Sequence, residues 1–177
     1  MARKSIFLIG MMGSGKSTIG RALARELDMT FIDCDRELEV RSGVTITTMF
    51  EVEGEAAFRE REAALIEELT QRDRIVLATG GGAILQESSR IALRSRGLVI
   101  YLRATVDELA RRTARDRGRP LLQTDDRRAR MAQLLQQREP LYGETAHAVF
   151  HSSSGNPNRL VRQIIEEPVV RSVLGTS

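Results

Sequence analysis

The stretch Gly10-Met11-Met12-Gly13-Ser14-Gly15-Lys16-Ser17 fits the pattern G-x-x-x-x-G-K-[ST], and each residue type in it has a reason to meet phosphate. Glycines let the backbone turn tightly enough for successive N–H groups to face phosphate oxygens. A helix beginning where the loop ends adds the partial positive charge of its N-terminus. Lys16 would then reach the β- and γ-phosphates of a nucleotide, and the Ser17 hydroxyl would coordinate Mg²⁺. Gly13, Ser14, Gly15, Lys16, Ser17 and Thr18 are therefore the expected nucleotide-binding residues. Further on, Asp33-Cys34-Asp35 places two carboxylates two residues apart. In an extended segment both Asp33 and Asp35 can point into one cleft, where one would hold Mg²⁺, directly or through water, and the other would accept hydrogen bonds from a substrate hydroxyl and help remove its proton. The competing assignment for Asp35 is a cap on the next helix, which leaves Asp33 without a role.

Such chemistry needs a frame, and the hydrophobic pattern supplies one. The apolar run Ser5 to Ile9 reads as a short strand before the glycines, and Ile19, Ala22, Leu23 and Leu27 recur at helical spacing after them. A second strand over Thr30 to Asp33 leads into a charged helix near Arg36 to Arg41, which Gly43 stops. Ala57, Phe58, Leu65, Ile66 and Leu69 predict a helix over Glu53 to Thr70, and the strand Arg74 to Ala78 then runs into Gly80-Gly81-Gly82. A strand at Leu98 to Leu102 follows, then a helix from about Val106, an arginine-dense stretch, and a helix to about Tyr142. His147 to His151 reads as a fifth strand, and Asn156-Pro157 opens a helix through Ile165, with the tail after Pro168 expected to be loosely held. Alternating strands and helices predict an α/β fold of three αβα layers around a five-stranded parallel sheet, of the P-loop, nucleoside-monophosphate-kinase-like kind. Ligands in such folds bind at the strand C-termini, and each unusual feature of this sequence falls just after a predicted strand.

At 177 residues the chain suits a single domain spanning 1–177. Its one cysteine, Cys34, cannot form an internal disulfide, and His147 and His151 sit in no metal-ligand cluster. No apolar run approaches the roughly 20 residues of a membrane helix. A soluble, cytoplasmic monomer without membrane partners is expected. The net charge is only +3, from 27 basic and 24 acidic residues that interleave as in Arg59-Glu60-Arg61-Glu62, which argues against nucleic acid as a partner. Lys4 and Lys16 are the only lysines, so the one inside the glycine loop marks a place where arginine's planar fork would not fit. No lysine follows Lys16, which removes the Asn-Lys-x-Asp motif of guanine-reading switches. The third strand ends Leu77-Ala78-Thr79-Gly80, without the acidic residue of motor ATPases.

Taken in order, these motifs resemble the shikimate kinase family from Ser5 to about Ile165. The matching segments are Gly15-Lys16-Ser17-Thr18, Asp33-x-Asp35, Phe58-Arg59-x-x-Glu62, Gly80-Gly81-Gly82, Arg119-Pro120-Leu121-Leu122, and Arg138 with Tyr142. The resemblance implies transfer of the γ-phosphoryl group of ATP, with Mg²⁺, to the 3-hydroxyl of shikimate in the pathway to aromatic amino acids. It implies that Asp35, Arg59, Gly80, Gly81, Gly82 and Arg138 hold shikimate, the two arginines clamping its carboxylate and Glu62 orienting Arg59. The helices over about 34–62 would form the substrate-binding part, and residues 112–126 a mobile lid. Lys16, Asp35 and Arg119 would be the catalytic set, with Arg119 delivered by the lid to the transferring phosphoryl group. Arg112 and Gly155-Asn156-Pro157 would enclose adenine. Two other readings remain: a gluconate or nucleoside monophosphate kinase of the same fold, and a noncatalytic nucleotide sensor or RNA-binding module.

Overall fold

Runs such as Ile6–Ile9 and Ile75–Ala78 carry no polar face, so as strands they must be covered on both sides. The computed structural model, which describes residues 5–153 and 155–175, does this with helices. In chain order the elements are β1 (Ile6–Ile9), α1 (Lys16–Glu26), β2 (Thr30–Asp33), α2 (Cys34–Ser42), α3 (Ile46–Leu69), β3 (Ile75–Ala78), α4 (Glu87–Arg96), β4 (Leu98–Arg103), α5 (Val106–Thr113), α6 (Arg127–Thr145), β5 (Ala148–His151), α7 (Pro157–Glu166) and α8 (Pro168–Leu174). The strands pair in parallel in the order β2-β3-β1-β4-β5. Successive residues of β1 alternate between layers, as strand geometry requires. Ile6 and Leu8 pack with Ile19, Leu23, Val161 and Ile164 of α1 and α7. Phe7 and Ile9 pack with Leu65, Ile66, Leu93, Leu109 and Leu134 of α3, α4, α5 and α6. The three-layer arrangement and the five-stranded parallel sheet are thus as expected. Among the described residues, no helix is long and apolar enough to cross a membrane.

Three local expectations need correction. α2 begins at Cys34, with no extended residue between it and β2, so Asp35 lies on the first helical turn. The helix expected from Glu53 starts at Ile46, and Gly54 kinks it with φ 83° and ψ 171°, a conformation that L side chains avoid. The tail after Pro168 is helix α8, with Val170 wholly buried against the α1–α7 layer. Its signal was in the sequence: Val169, Val170, Val173 and Leu174 fall on one helical face.

Candidate active site

Register places the functional loops. Leu8 lies opposite Ala78, and Ala78 lies opposite Asp33, so β1, β2 and β3 release their following segments at one edge of the sheet. After β1 the glycine loop curls with Gly13 at φ 81° and Gly15 at φ 94°, and Lys16 opens α1. Lys16 is buried, and its Nζ donates to the Gly10 and Met11 carbonyls at 2.7 and 2.9 Å. Burial, with the nearby Arg119 charge second, lowers its pKa to about 8. A cleft of about 590 Å³ opens over Lys16, Ser17 and Thr18, bordered by Asp33, Asp35, Arg112 and Arg119.

The two aspartates share this cleft by a different geometry from the one expected. Asp33 is the N-cap of α2: its Oδ1 accepts the Arg36 N–H at 3.2 Å, while its Oδ2 accepts the Ser17 hydroxyl at 2.5 Å. Capping therefore belongs to Asp33 and leaves it bonded to the end of the glycine loop. Asp35, one helical step on, borders both the phosphate cleft and a second cavity. Burial and then the Asp33 charge push its carboxyl above the usual carboxylate range.

The second cavity, of about 220 Å³, has an arginine-lined floor. Arg59 is 7 % and Arg138 2 % exposed. Arg59 donates to Glu62 at 2.9 Å and to Glu55 at 3.3 Å, and its guanidinium lies 5.2 Å from the Phe58 ring centre. Yet Arg59 Nε, Arg138 Nη1 and Glu62 Oε2 are buried without a partner in the protein. Gly80, Gly81 and Gly82 follow β3 along this floor, and their role is partly structural. A side chain at Gly80 would strike Glu62 and Asp35, and one at Gly82 would strike the Arg59 guanidinium. Tyr142 donates its hydroxyl to the Gly81 carbonyl and stacks on Tyr101 with ring centres 4.9 Å apart, tying α6 to the glycine segment.

Apolar groups roof the same cavity. The kink at Gly54 brings Ile46 and Phe50 over it, and the segment between α5 and α6 adds Pro120 and Leu121 from the short 3-10 turn Pro120–Leu122. Arg119 borders this cavity and the phosphate cleft alike, with its Nε on Asp116 Oδ2 at 2.6 Å. Arg127 fastens the start of this segment by donating to the Thr113 and Asp116 carbonyls, both at 2.7 Å. A third cavity, of about 790 Å³, lies beside Gly15 and Arg112 and is completed by Ser152, Gly155, Asn156 and Pro157. Asn156 also caps α7 through the Asn158 N–H.

The structure thus places the expected residues around three adjoining cavities that share lining residues, except Ser14, which is wholly buried and borders none of the three. It adds residues that motif reading passed over. Glu39 borders both the cleft and the acid-sized cavity and accepts the Ile46 N–H at 3.2 Å, fixing the start of the roof. Phe50 stacks on Phe58 at 4.7 Å. Only Phe50, an aromatic four residues before a glycine in a charged stretch, left a trace in the sequence.

A phosphate loop joined through Asp35 and Arg119 to a small pocket floored by two buried arginines, each with one N–H that has no partner in the protein, defines a P-loop kinase for a small anionic acceptor. The family model for shikimate kinase matches residues 12–168. The shikimate kinase of Bordetella pertussis is 58 % identical over 160 residues, covering 90 % of this chain and 76 % of that protein. That of Nitrosospira multiformis is 51 % identical over 174 residues, covering 98 % and 89 %. The solved shikimate kinase of Acinetobacter baumannii in complex with shikimate superposes with a TM-score of 0.91 at 45 % identity, over 92 % of this chain and 91 % of that one. The chain belongs to the shikimate kinase family.

Proposed function

We propose that this chain transfers the γ-phosphoryl group of ATP to the 3-hydroxyl of shikimate, giving ADP and shikimate 3-phosphate, with Mg²⁺ beside Ser17 and Asp33. Membership of the family carries the ATP-dependent phosphorylation of shikimate; the residue roles and the choice of hydroxyl are our reading. The observation that carries it is the pair of buried arginines, each with one N–H that has no partner in the protein, lining a cavity that shares Asp35 and Arg119 with the phosphate cleft. Buried donors of this kind call for an acceptor, and a planar carboxylate satisfies two guanidinium groups at once.

Arg59 and Arg138 clamp the carboxylate and set the ring's position, and Asp35 accepts a hydrogen bond from the reacting hydroxyl. Its raised pKa brings Asp35 nearer to taking the proton, although a loose transition state places little demand on a base. Lys16 exchanges the Gly10 and Met11 carbonyls for phosphate oxygens. Arg119 exchanges Asp116 for the transferring group, and Pro120 and Leu121 close over it to exclude water. The Ser17 hydroxyl and Asp33 carboxylate are adjacent oxygen donors of the kind Mg²⁺ takes. Among the described residues no group of three or more His, Cys, Asp or Glu is set to hold a metal, which suits an ion that keeps phosphate and water ligands. When bound, Mg²⁺ would neutralise charge on the phosphate oxygens. Arg112 and the segment Gly155-Asn156-Pro157 enclose adenine.

The test measures ADP formation from MgATP with shikimate, gluconate and AMP in parallel, with Lys16→Ala as control. Shikimate-dependent turnover absent from the control is expected, and phosphorus–proton correlation of the product is expected to place the phosphate on the 3-position. Turnover with gluconate or AMP alone overturns the substrate, and phosphate on another hydroxyl overturns the regiochemistry.

A further inference from the structure

A loop that turns N–H groups toward phosphate must turn carbonyls the other way, and each buried carbonyl then needs its own donor. Along this loop the donors come from two sources. Lys16 Nζ serves Gly10 and Met11, and the Ile19 N–H serves Gly15 at 2.9 Å from within α1. Gly13 and Ser14 are served from outside the loop. Arg112 Nη1 donates to the Gly13 carbonyl at 3.1 Å, and Ser152 Oγ donates to the Ser14 carbonyl at 2.5 Å. Ser152 is 5 % exposed and fixed just past β5 by its N–H on the Arg103 carbonyl at 2.7 Å. Arg112 braces it further, reaching its Oγ at 3.2 Å and its carbonyl at 2.8 Å.

We propose that Ser152 is a positioning residue for the phosphate loop, whose hydroxyl fixes the Ser14–Gly15 peptide so that the Gly15 N–H stays aimed at the nucleotide's phosphates. The inference rests on the reading of that loop as the ATP site. Because the peptide is planar and trans, holding the Ser14 carbonyl outward holds the Gly15 N–H in the opposite direction. Gly15 itself offers no resistance to a flip, since a glycine at φ 94° has open alternatives on both sides. The restraint has to come from elsewhere, and the Ser152 hydroxyl is the donor on that carbonyl. Through Arg112, the same hydroxyl links the adenine side of the groove to the phosphate side.

Ser152 also borders the cavity assigned to adenine, so a direct contact with the base is the alternative, and a ligand without a base separates the two. Binding of tripolyphosphate, adenosine and shikimate is measured by calorimetry on the whole chain and on Ser152→Ala, together with the steady-state constants. Loss of one restraining hydrogen bond is expected to weaken tripolyphosphate and to raise the KM for ATP by about tenfold each. Adenosine and shikimate affinities stay unchanged. Ser152→Cys, nearly the same size with a weaker donor, gives a smaller loss and serves alone if Ser152→Ala does not fold. Unchanged tripolyphosphate affinity in either variant overturns the proposal, as does a loss confined to adenosine. Equal losses for shikimate and tripolyphosphate with a fallen melting temperature also overturn it, because they mark a general structural role. Absence of shikimate turnover in the unaltered chain, with tripolyphosphate still sensitive to Ser152, strikes the kinase reading instead.

Discussion

Arginines on the floor of the small cavity and arginines in the lid are the same residue type under opposite conditions. Arg59 and Arg138 are buried on α3 and α6, while Arg115 and Arg117 stand in water. The floor pair is fixed before any ligand arrives. Arg59 is held by Glu55 and Glu62, and Gly82 is bare so that its guanidinium fits. Arg119, between the two groups, is half-buried and held by Asp116 three residues away, inside the lid itself. On the proposed reading, rigid elements therefore supply recognition, which needs fixed geometry. On the same reading, the segment carrying Arg119 supplies a charge that must arrive late and leave again.

Breaking the lid side should have the largest effect. Arg119→Ala is expected to lower kcat by about 10³-fold, as for other cations aimed at a transferring phosphoryl group. Steady-state kinetics should show the KM for shikimate moving by less than about threefold. A large rise in that KM would place Arg119 on the floor rather than in the lid.

Breaking the floor should show a different signature. Arg138→Met is expected to lower kcat/KM for shikimate by about 10²-fold, through loss of a charge-assisted bond to the carboxylate. Thermal unfolding without ligand should be unchanged or shifted upward, because the substitution removes a buried charge with an unpartnered N–H. A marked fall in melting temperature would make Arg138 a structural residue first.

Smaller effects sharpen the same contrast. Asp116→Asn frees Arg119 from its resting partner and unsettles the turn that Gly118 N–H makes on Asp116 at 2.9 Å. A change in kcat of about threefold is expected, with shikimate affinity measured by titration unaltered. The smallest effect is the pH dependence of Lys16. Burial lowers its pKa from the ordinary lysine value of 10.5 to about 8, so ATP affinity should fall as pH rises through about 8 and the free amine loses its charge. Stability should move the other way between those values, because there the unfolded chain binds the extra proton. Denaturant titrations on Lys16→Met should lack this component.

The sheet was legible because its three inner strands are continuous apolar runs bounded by glycine, threonine or charge, and the glycine loop because its spacing is tied to one backbone shape. The kinked start of α3 was not legible. Ile46 to Phe50 looks like a connection until Gly54 is seen to take a positive φ and turn the segment over the cavity. Asp33 and Asp35 were found as a pair, but their local geometry was not, since two residues of spacing mean one face in a strand and different faces in a helix. Glu39 and Ser152 lie in no motif at all; their partners are 7 and 138 residues away.

By itself the sequence determined the family and the residues to which the chemistry is assigned, because a phosphate cradle, a carboxylate pair and arginines for an acid are properties of residue type and local spacing. Tertiary structure decided which arginines are buried with an N–H left unpartnered, which aspartate caps and which borders the cavity, and which donors the loop carbonyls meet. Those are matters of burial and of contacts between distant segments, and they exist only once β1, β2 and β3 end at the same edge.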